Sequence, residues 1–198
     1  MSDTNLKQLD YFNLRHIDSP GEEFFPRYLN DVLINPTAPV LDIGCGTGKL
    51  LRALRSRHFE SIYGVDINPE AIEYCQSDNL PVELIESIEL YSENNQEKFE
   101  VIILQHVIEH IPKEQIIPTL SHIRKMLTTT GQLIIAVPNA QSSTGCYWAY
   151  EDFTHTTLFT SGSLKFVLQA AGFSHVRFID PDCTAGLPAW KRVVKKAL

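Results

Sequence analysis

The sequence predicts an α/β fold, a doubly wound and mostly parallel sheet with helices on both faces. Two observations carry that prediction. Short strand-like apolar runs alternate with segments of helical periodicity from residue 40 to residue 179. The first of those runs also feeds directly into a glycine-rich turn, Gly44-Cys45-Gly46-Thr47-Gly48. In such sheets ligands sit outside the C-terminal strand ends, where the strand order reverses, so useful residues should follow each strand.

Taken in order, residues 1–21 are polar and end in the turn signal Ser19-Pro20-Gly21. Phe24 to Leu33 carries Phe25, Leu29, Val32 and Leu33 at helical spacing and reads as a helix, closed by Pro36 and Pro39. Val40 to Ile43 is the first strand, and Lys49 to Arg57 a helix with Leu50, Leu51 and Leu54 on one side. Ile62 to Ile67 is the second strand. Asn68-Pro69 then combines a good N-cap with a proline suited to the first helical position, and the helix it starts runs to about Gln76. Val82 to Ile85 is the third strand, a short helix lies within Glu86 to Lys98, and Phe99 to Leu104 is a strongly apolar fourth strand. The next helix lies within Lys113 to Leu127, bent or restarted at Pro118. Gly131 breaks the chain before a fifth strand, Gln132 to Val137. Thr160 caps a helix to Ala171 with Gly172 at its end, and Val176 to Ile179 is a sixth strand. The expected organisation is an N-terminal helical segment over 1–37, one domain over 38–180 and a tail over 181–198.

Composition narrows the class. Hydrophobic residues make up 43% and charged residues 21%, ordinary values for a soluble globular protein. No apolar run approaches the roughly 20 residues that span a bilayer. Met1 to Leu9 is polar and unlike a secretory signal, so a cytoplasmic location is expected. Cys45, Cys75, Cys146 and Cys183 form no CxxC pair and read as reduced structural thiols. A net charge of −7 repels phosphate backbones and argues against general nucleic-acid binding. Two basic clusters, Arg52, Arg55 and Arg57, and Lys191, Arg192, Lys195 and Lys196, read as solvated helix faces.

Five stretches carry chemistry. In Val40-Leu41-Asp42-Ile43-Gly44-Cys45-Gly46-Thr47-Gly48 the glycines permit positive φ and close approach of backbone to a ligand. They fall as GxGxG, whereas a dinucleotide site needs GxGxxG around a pyrophosphate. Asp66, followed by Ile67, ends the second strand about 20 residues further on, the offset at which an acidic residue reaches ribose hydroxyls. Glu86-Ser87 follows the third strand. Gln105-His106-Val107-Ile108-Glu109-His110-Ile111-Pro112 follows the fourth. Its His106-x-x-Glu109-His110 matches a zinc-protease spacing, but that signature needs a helix, and between a strand end and Pro112 at most one turn fits. No metal is expected on that ground. The last stretch, Pro138 to Thr160, is long for a connection in a compact domain and holds Tyr147, Trp148, Tyr150, Asp152, Phe153 and His155.

The glycine-turn nonamer resembles motif I of the class I S-adenosylmethionine (SAM)-dependent methyltransferases, and the HVIEHIP string resembles their motif IV region. The resemblance covers roughly residues 38–180. It implies a Rossmann-like sheet of six or seven strands and SAM as cofactor. Asp42, Gly44, Cys45, Gly46, Gly48 and Gln105 would line the methionine and sulfonium side. Asp66 and Ile67 would meet the ribose, and Glu86 and Ser87 the adenine. Asp152-Phe153-Thr154-His155 with the following Phe159-Thr160 is similar to a bacterial subgroup acting on surface glycans or other small hydroxylated acceptors. That implies O-methylation of a small-molecule or glycan acceptor. His155 would be the first candidate base, oriented by Asp152, with His106 the second. No Asn/Asp-Pro-Pro-Tyr follows the fourth strand, which weakens nucleobase and glutamine amino groups as acceptors. A SAM-binding regulatory protein without catalysis and a NAD-dependent oxidoreductase are the rival readings, and the GxGxG spacing argues against the second.

Overall fold

The computed structural model describes residues 25–179 except 31, 34, 143 and 144. The expected C-terminal tail, with its lysine and arginine cluster, and most of the N-terminal segment lie outside the described residues. The strands are β1 (Val40–Ile43), β2 (Ile62–Asp66), β3 (Val82–Leu84), β4 (Phe99–Gln105) and β5 (Leu127–Ala136). The helices are α1 (Lys49–Ser56), α2 (Pro69–Ser77), α3 (Ile88–Glu93), α4 (Ile116–Met126), α5 (Gly145–Glu151) and α6 (Ser161–Ala170).

The strands form one sheet in the order β3-β2-β1-β4-β5, with every pairing parallel. β1 therefore lies between β2 and β4, and the chain order reverses there. All four β1 residues are buried, as a central strand covered on both sides requires. Alternation along the central strands feeds two cores. Leu41, Ile102 and Leu104 pack on one side with Leu120 and Ile123 of α4 and Leu164 and Leu168 of α6. Val40, Val101 and Ile103 pack on the other with Leu50, Leu51 and Leu54 of α1 and Ile72 of α2. The helices thus cover both faces, as expected.

Local signals explain most boundaries. The Asn68 side chain accepts from the backbone N–H groups of Glu70 and Ala71, with Pro69 next in line where its missing N–H costs nothing. Thr160 and Ser163 form a reciprocal capping box at the start of α6, and Gly172 follows that helix at φ 92.

Four expectations change. The described residues hold five strands, not six or seven. Residues 173–179 run as irregular chain, with Phe178 37% and Ile179 44% exposed. Among the described residues no strand pairs with these β-forming residues, and β propensity without a partner surface is weak. The described part of the expected N-terminal helix is a 3₁₀ turn, Arg27–Leu29, closed by one helical bond from Leu33 N–H to the Leu29 carbonyl. So short a segment gains little from helical cooperativity, yet Leu29 and Leu33 still bury in the core. Pro118 neither bends nor restarts α4. It sits in the first turn, where no N–H is needed, behind a 3₁₀ turn over Lys113–Gln115. Finally, Gly131 lies within β5 instead of breaking it. The β4–β5 register shifts between Phe99 and Val101, and a Cβ at Gly131 would lie 2.9 Å from the Phe99 carbonyl oxygen, so only glycine passes there.

Candidate functional site

The turns after β1 and β4 meet at the point of strand-order reversal. A Cβ on Gly44 would lie 2.5 Å from Cγ2 of Val107, so the two turns touch only because residue 44 lacks a side chain. Gly44, Gly46 and Gly48 take φ of 72, 51 and 77, the left-handed region that glycine enters without strain. Three contacts hold this turn. Asp66 Oδ2 accepts from Gly46 N–H at 2.8 Å, while its Oδ1 accepts from Asn68 N–H at 2.9 Å. The Cys75 thiol donates to the Gly46 carbonyl at 3.3 Å. Arg52 donates to the Thr47 carbonyl at 2.7 Å and pairs with Asp78.

Arg52 is therefore buried and engaged, not part of a solvated face. Arg55 also pairs with Asp78, and Arg57 lies over the Phe25 ring and donates to Asn30. Cys45 and Cys75 are free thiols, buried beneath the turn and hydrogen-bonded to each other. That bond raises the Cys45 thiol, together with burial, and lowers Cys75. The Cys45 side chain faces Gly64 of β2, so Cys45 offers a ligand its backbone alone.

Beside the turn lies an unbalanced acid. Asp42 is 4% exposed, and no described residue donates a hydrogen bond to its carboxyl group. Burial, then the charge of Asp66, pushes it up to about 8. Asp66 is also raised by burial, opposed by the N–H groups of Asn68, Gly46 and Ile67. Gln105, at the end of β4, donates to the Tyr28 hydroxyl. Burial raises the Tyr28 phenol, the bond from Gln105 opposes that, and Asp42 adds to it. Tyr28 therefore closes this side of the cleft. Nothing in the sequence marks it except an aromatic one residue before the buried Leu29. On the β2–β3 side Ile67 is exposed, Glu86 is exposed just past β3, and Ser87 caps α3 by accepting from Leu90 N–H.

The site has the features a SAM molecule needs. It offers backbone without side chains at the switch point and a buried carboxyl group that lacks a donor beside a second acid. A cation placed beside it would favour the ionised form of Asp42. Asp42, Gly44, Gly46, Asp66 and Gln105 come together there. A sign follows for the unliganded protein. The folded Asp42 holds its proton up to about pH 8, while an unfolded aspartate releases it near ~3.9. Stability should fall as pH rises through that window, by up to about 1.4 kcal/mol per pH unit. Denaturant melts at several pH values should show the parent losing stability toward pH 8 relative to Asp42→Asn. Parallel curves would mean that Asp42 is ionised throughout.

The second half of the site is built on the turn after β4. His106 holds φ 55, and a single 3₁₀ turn, Ile108–His110, follows it. That is the one turn expected before Pro112. The fully buried Glu109 accepts from Nδ1 of His106 through Oε1 at 3.1 Å. The stretch after β5 contains the short helix α5, then folds back onto this turn. Thr156 and Thr157 N–H both donate to the Glu109 carbonyl, at 2.8 and 3.2 Å, and the Thr156 hydroxyl donates to the Ile111 carbonyl. This pinning brings the His155 ring against that of His110, with centroids 4.8 Å apart and the planes tilted by 55°. Asp152 Oδ1 accepts from both the backbone N–H and the hydroxyl of Thr154, at 2.9 and 2.6 Å. Thr154 in turn meets Nδ1 of His110 at 2.8 Å. Asp152 therefore orients His110 through Thr154, and Nδ1 of His155 is left buried without a hydrogen-bond partner among the described residues. Burial lowers the His110 imidazole and keeps it neutral near pH 7. Tyr147, Tyr150 and Phe153 stand exposed, Phe153 at 91%. The Trp148 side chain lies outside what is described.

A family model described as a methyltransferase domain matches residues 14–177. The search of curated proteins finds no match. Among solved structures, a SAM-dependent methyltransferase from Archaeoglobus fulgidus is similar at 23% identity. It covers 85% of this chain and 82% of its own, with a TM-score of 0.65. The 1,6-didemethyltoxoflavin-N1-methyltransferase of Burkholderia thailandensis is similar at 19% identity over 73% of this chain and 63% of its own, with a TM-score of 0.54. A SAM-dependent methyltransferase from Mesorhizobium loti is similar at 11% identity over 72% of this chain and 77% of its own, with a TM-score of 0.52.

Proposed function

The chain belongs to the methyltransferase-domain family and is an enzyme that uses S-adenosylmethionine, and from that premise we propose that it O-methylates a small-molecule or glycan acceptor with His106 as general base. The observation that carries this reading is the His106–Glu109 pair. Glu109 accepts from Nδ1, which selects the tautomer that carries its lone pair on Nε2. The side chain of His106 is 65% exposed at the end of β4, beside the glycine turn. The sequence favours His155, but its Nδ1 is buried and its ring lies tilted against that of His110. The geometry therefore favours His106.

Bound in the cleft, S-adenosylmethionine supplies a methyl carbon made electrophilic by its sulfonium. The residues of the chain do the rest. The glycine turn offers bare backbone, and Asp42 and Asp66 favour the cationic ligand. His106 Nε2 takes the proton that the acceptor hydroxyl gives up as its oxygen gains the methyl group. The exposed rings of Tyr147, Tyr150 and Phe153, on the segment pinned beside His106, suit stacking on a sugar or another flat acceptor and exclusion of water. No described helix is long and apolar enough to cross a membrane, which fits an acceptor reached from water.

The test is a panel of sugars, phenols and aliphatic alcohols set against matched amines, with methyl-labelled SAM and detection of S-adenosylhomocysteine. Turnover confined to hydroxyl acceptors is expected. Turnover on amines alone would overturn the O-methylation reading.

A further inference from the structure

We propose that Glu109, His110 and His155 form a binding site for one divalent transition-metal ion, zinc by the chemistry of the donors. Each residue offers one ligand atom, and the three atoms lie within 4.8 Å of one another. Two of these residues carry atoms in need of a partner. Glu109 is 0% exposed, and its Oε2 has no hydrogen-bond partner among the described residues. A carboxylate so deep normally pairs with a cation or binds a metal. Nδ1 of His155 is buried and unpartnered as well.

The third ligand is set by a proton count. Thr154 has one hydroxyl proton and gives it to Asp152 Oδ1 at 2.6 Å. Its oxygen can therefore only accept at His110, so Nδ1 of His110 carries the hydrogen and Nε2 the lone pair. A histidine whose other nitrogen is held through a carboxylate-backed hydrogen bond is the usual form of a metal-ligating imidazole.

Two imidazoles and one carboxylate, with a fourth position open, make a donor set that suits zinc. Magnesium and calcium prefer all-oxygen shells. The local spacing hides this site, because His155 arrives from a segment 45 residues away, brought in by the bonds from Thr156 and Thr157 to the Glu109 carbonyl. An ion there would fasten the segment after β5 to the turn after β4. His106 shares the same carboxylate through Oε1, and the ion would keep one position open. If the acceptor hydroxyl binds there, the ion lowers its pKa. That last role rests on the O-methylation reading, whereas ion binding does not.

The test uses the full chain without a histidine tag, stripped by a chelator and titrated with zinc chloride by calorimetry, with neither SAM nor acceptor present. One equivalent should bind at micromolar or tighter Kd and raise Tm, and millimolar magnesium chloride should give no saturable heat. His155→Ala and Glu109→Gln should each weaken zinc at least 100-fold, and His106→Ala, which removes only a hydrogen bond to Glu109 Oε1, should weaken it far less, by about 10-fold. If Glu109→Gln does not fold, His110→Ala takes its place. A parent with no saturable zinc, or a His155→Ala variant that binds as tightly as the parent, overturns the site. Stoichiometric zinc with no effect on turnover retains the site and removes its part in activating the acceptor.

Discussion

Gly46→Val should abolish SAM binding, with at least a 100-fold loss of affinity in calorimetry, while the domain still melts cooperatively. Gly46 sits at φ 51, where a β-branched residue is strongly disfavoured. The backbone cannot easily relax, because its N–H is held by Asp66 and its carbonyl by Cys75. The side chain must either occupy ligand space or force the turn to a new path, and both remove the surface a cofactor lies on. The local cost is of the order of 1–3 kcal/mol, below the roughly 5–15 kcal/mol stability of a typical domain. Gly46→Ala, smaller and unbranched, should fall between parent and valine. A valine variant that binds SAM as the parent does would move the cofactor away from this turn.

His106→Ala should lower kcat by about 10²–10⁴-fold, the usual contribution of a positioned base, with SAM affinity close to that of the parent. The imidazole is held by Glu109 at the end of β4 and touches none of the glycine turn's own hydrogen bonds. Removing it should spare the cofactor. Free imidazole added to His106→Gly should restore part of the lost rate, since the space left matches the ring. A purely structural histidine would show a lowered Tm, a near-parental rate per folded molecule and no rescue. Near-parental kcat in His106→Ala would remove His106 from proton transfer.

The two halves of the site differ in how far the sequence reveals them. The first half is local: a strand, a glycine turn and an acid about 20 residues on are fixed by chain geometry, so Asp42, Gly44, Gly46 and Asp66 are legible. The spacing does not disclose what Asp66 does for the turn itself, which depends on the approach of two strand ends. Tyr28 and the Glu109–His110–His155 cluster are assembled by tertiary contact alone. In the same way, residues 176–179 have strand propensity but form no strand, because pairing is a property of the whole sheet. Apolar spacing at Leu29 and Leu33 located the core without giving the winding of the chain.

The bond between Asp66 and Gly46 has a consequence for recognition speed. The glycine turn is tied down by a carboxylate, a thiol and a guanidinium. Association therefore pays little entropy to organise that backbone. Discrimination among ligands then falls to shape and charge complementarity at encounter. If the segment after β5 holds the acceptor, as proposed, the scaffold can exchange acceptors by rewriting that segment while the glycine turn stays unchanged.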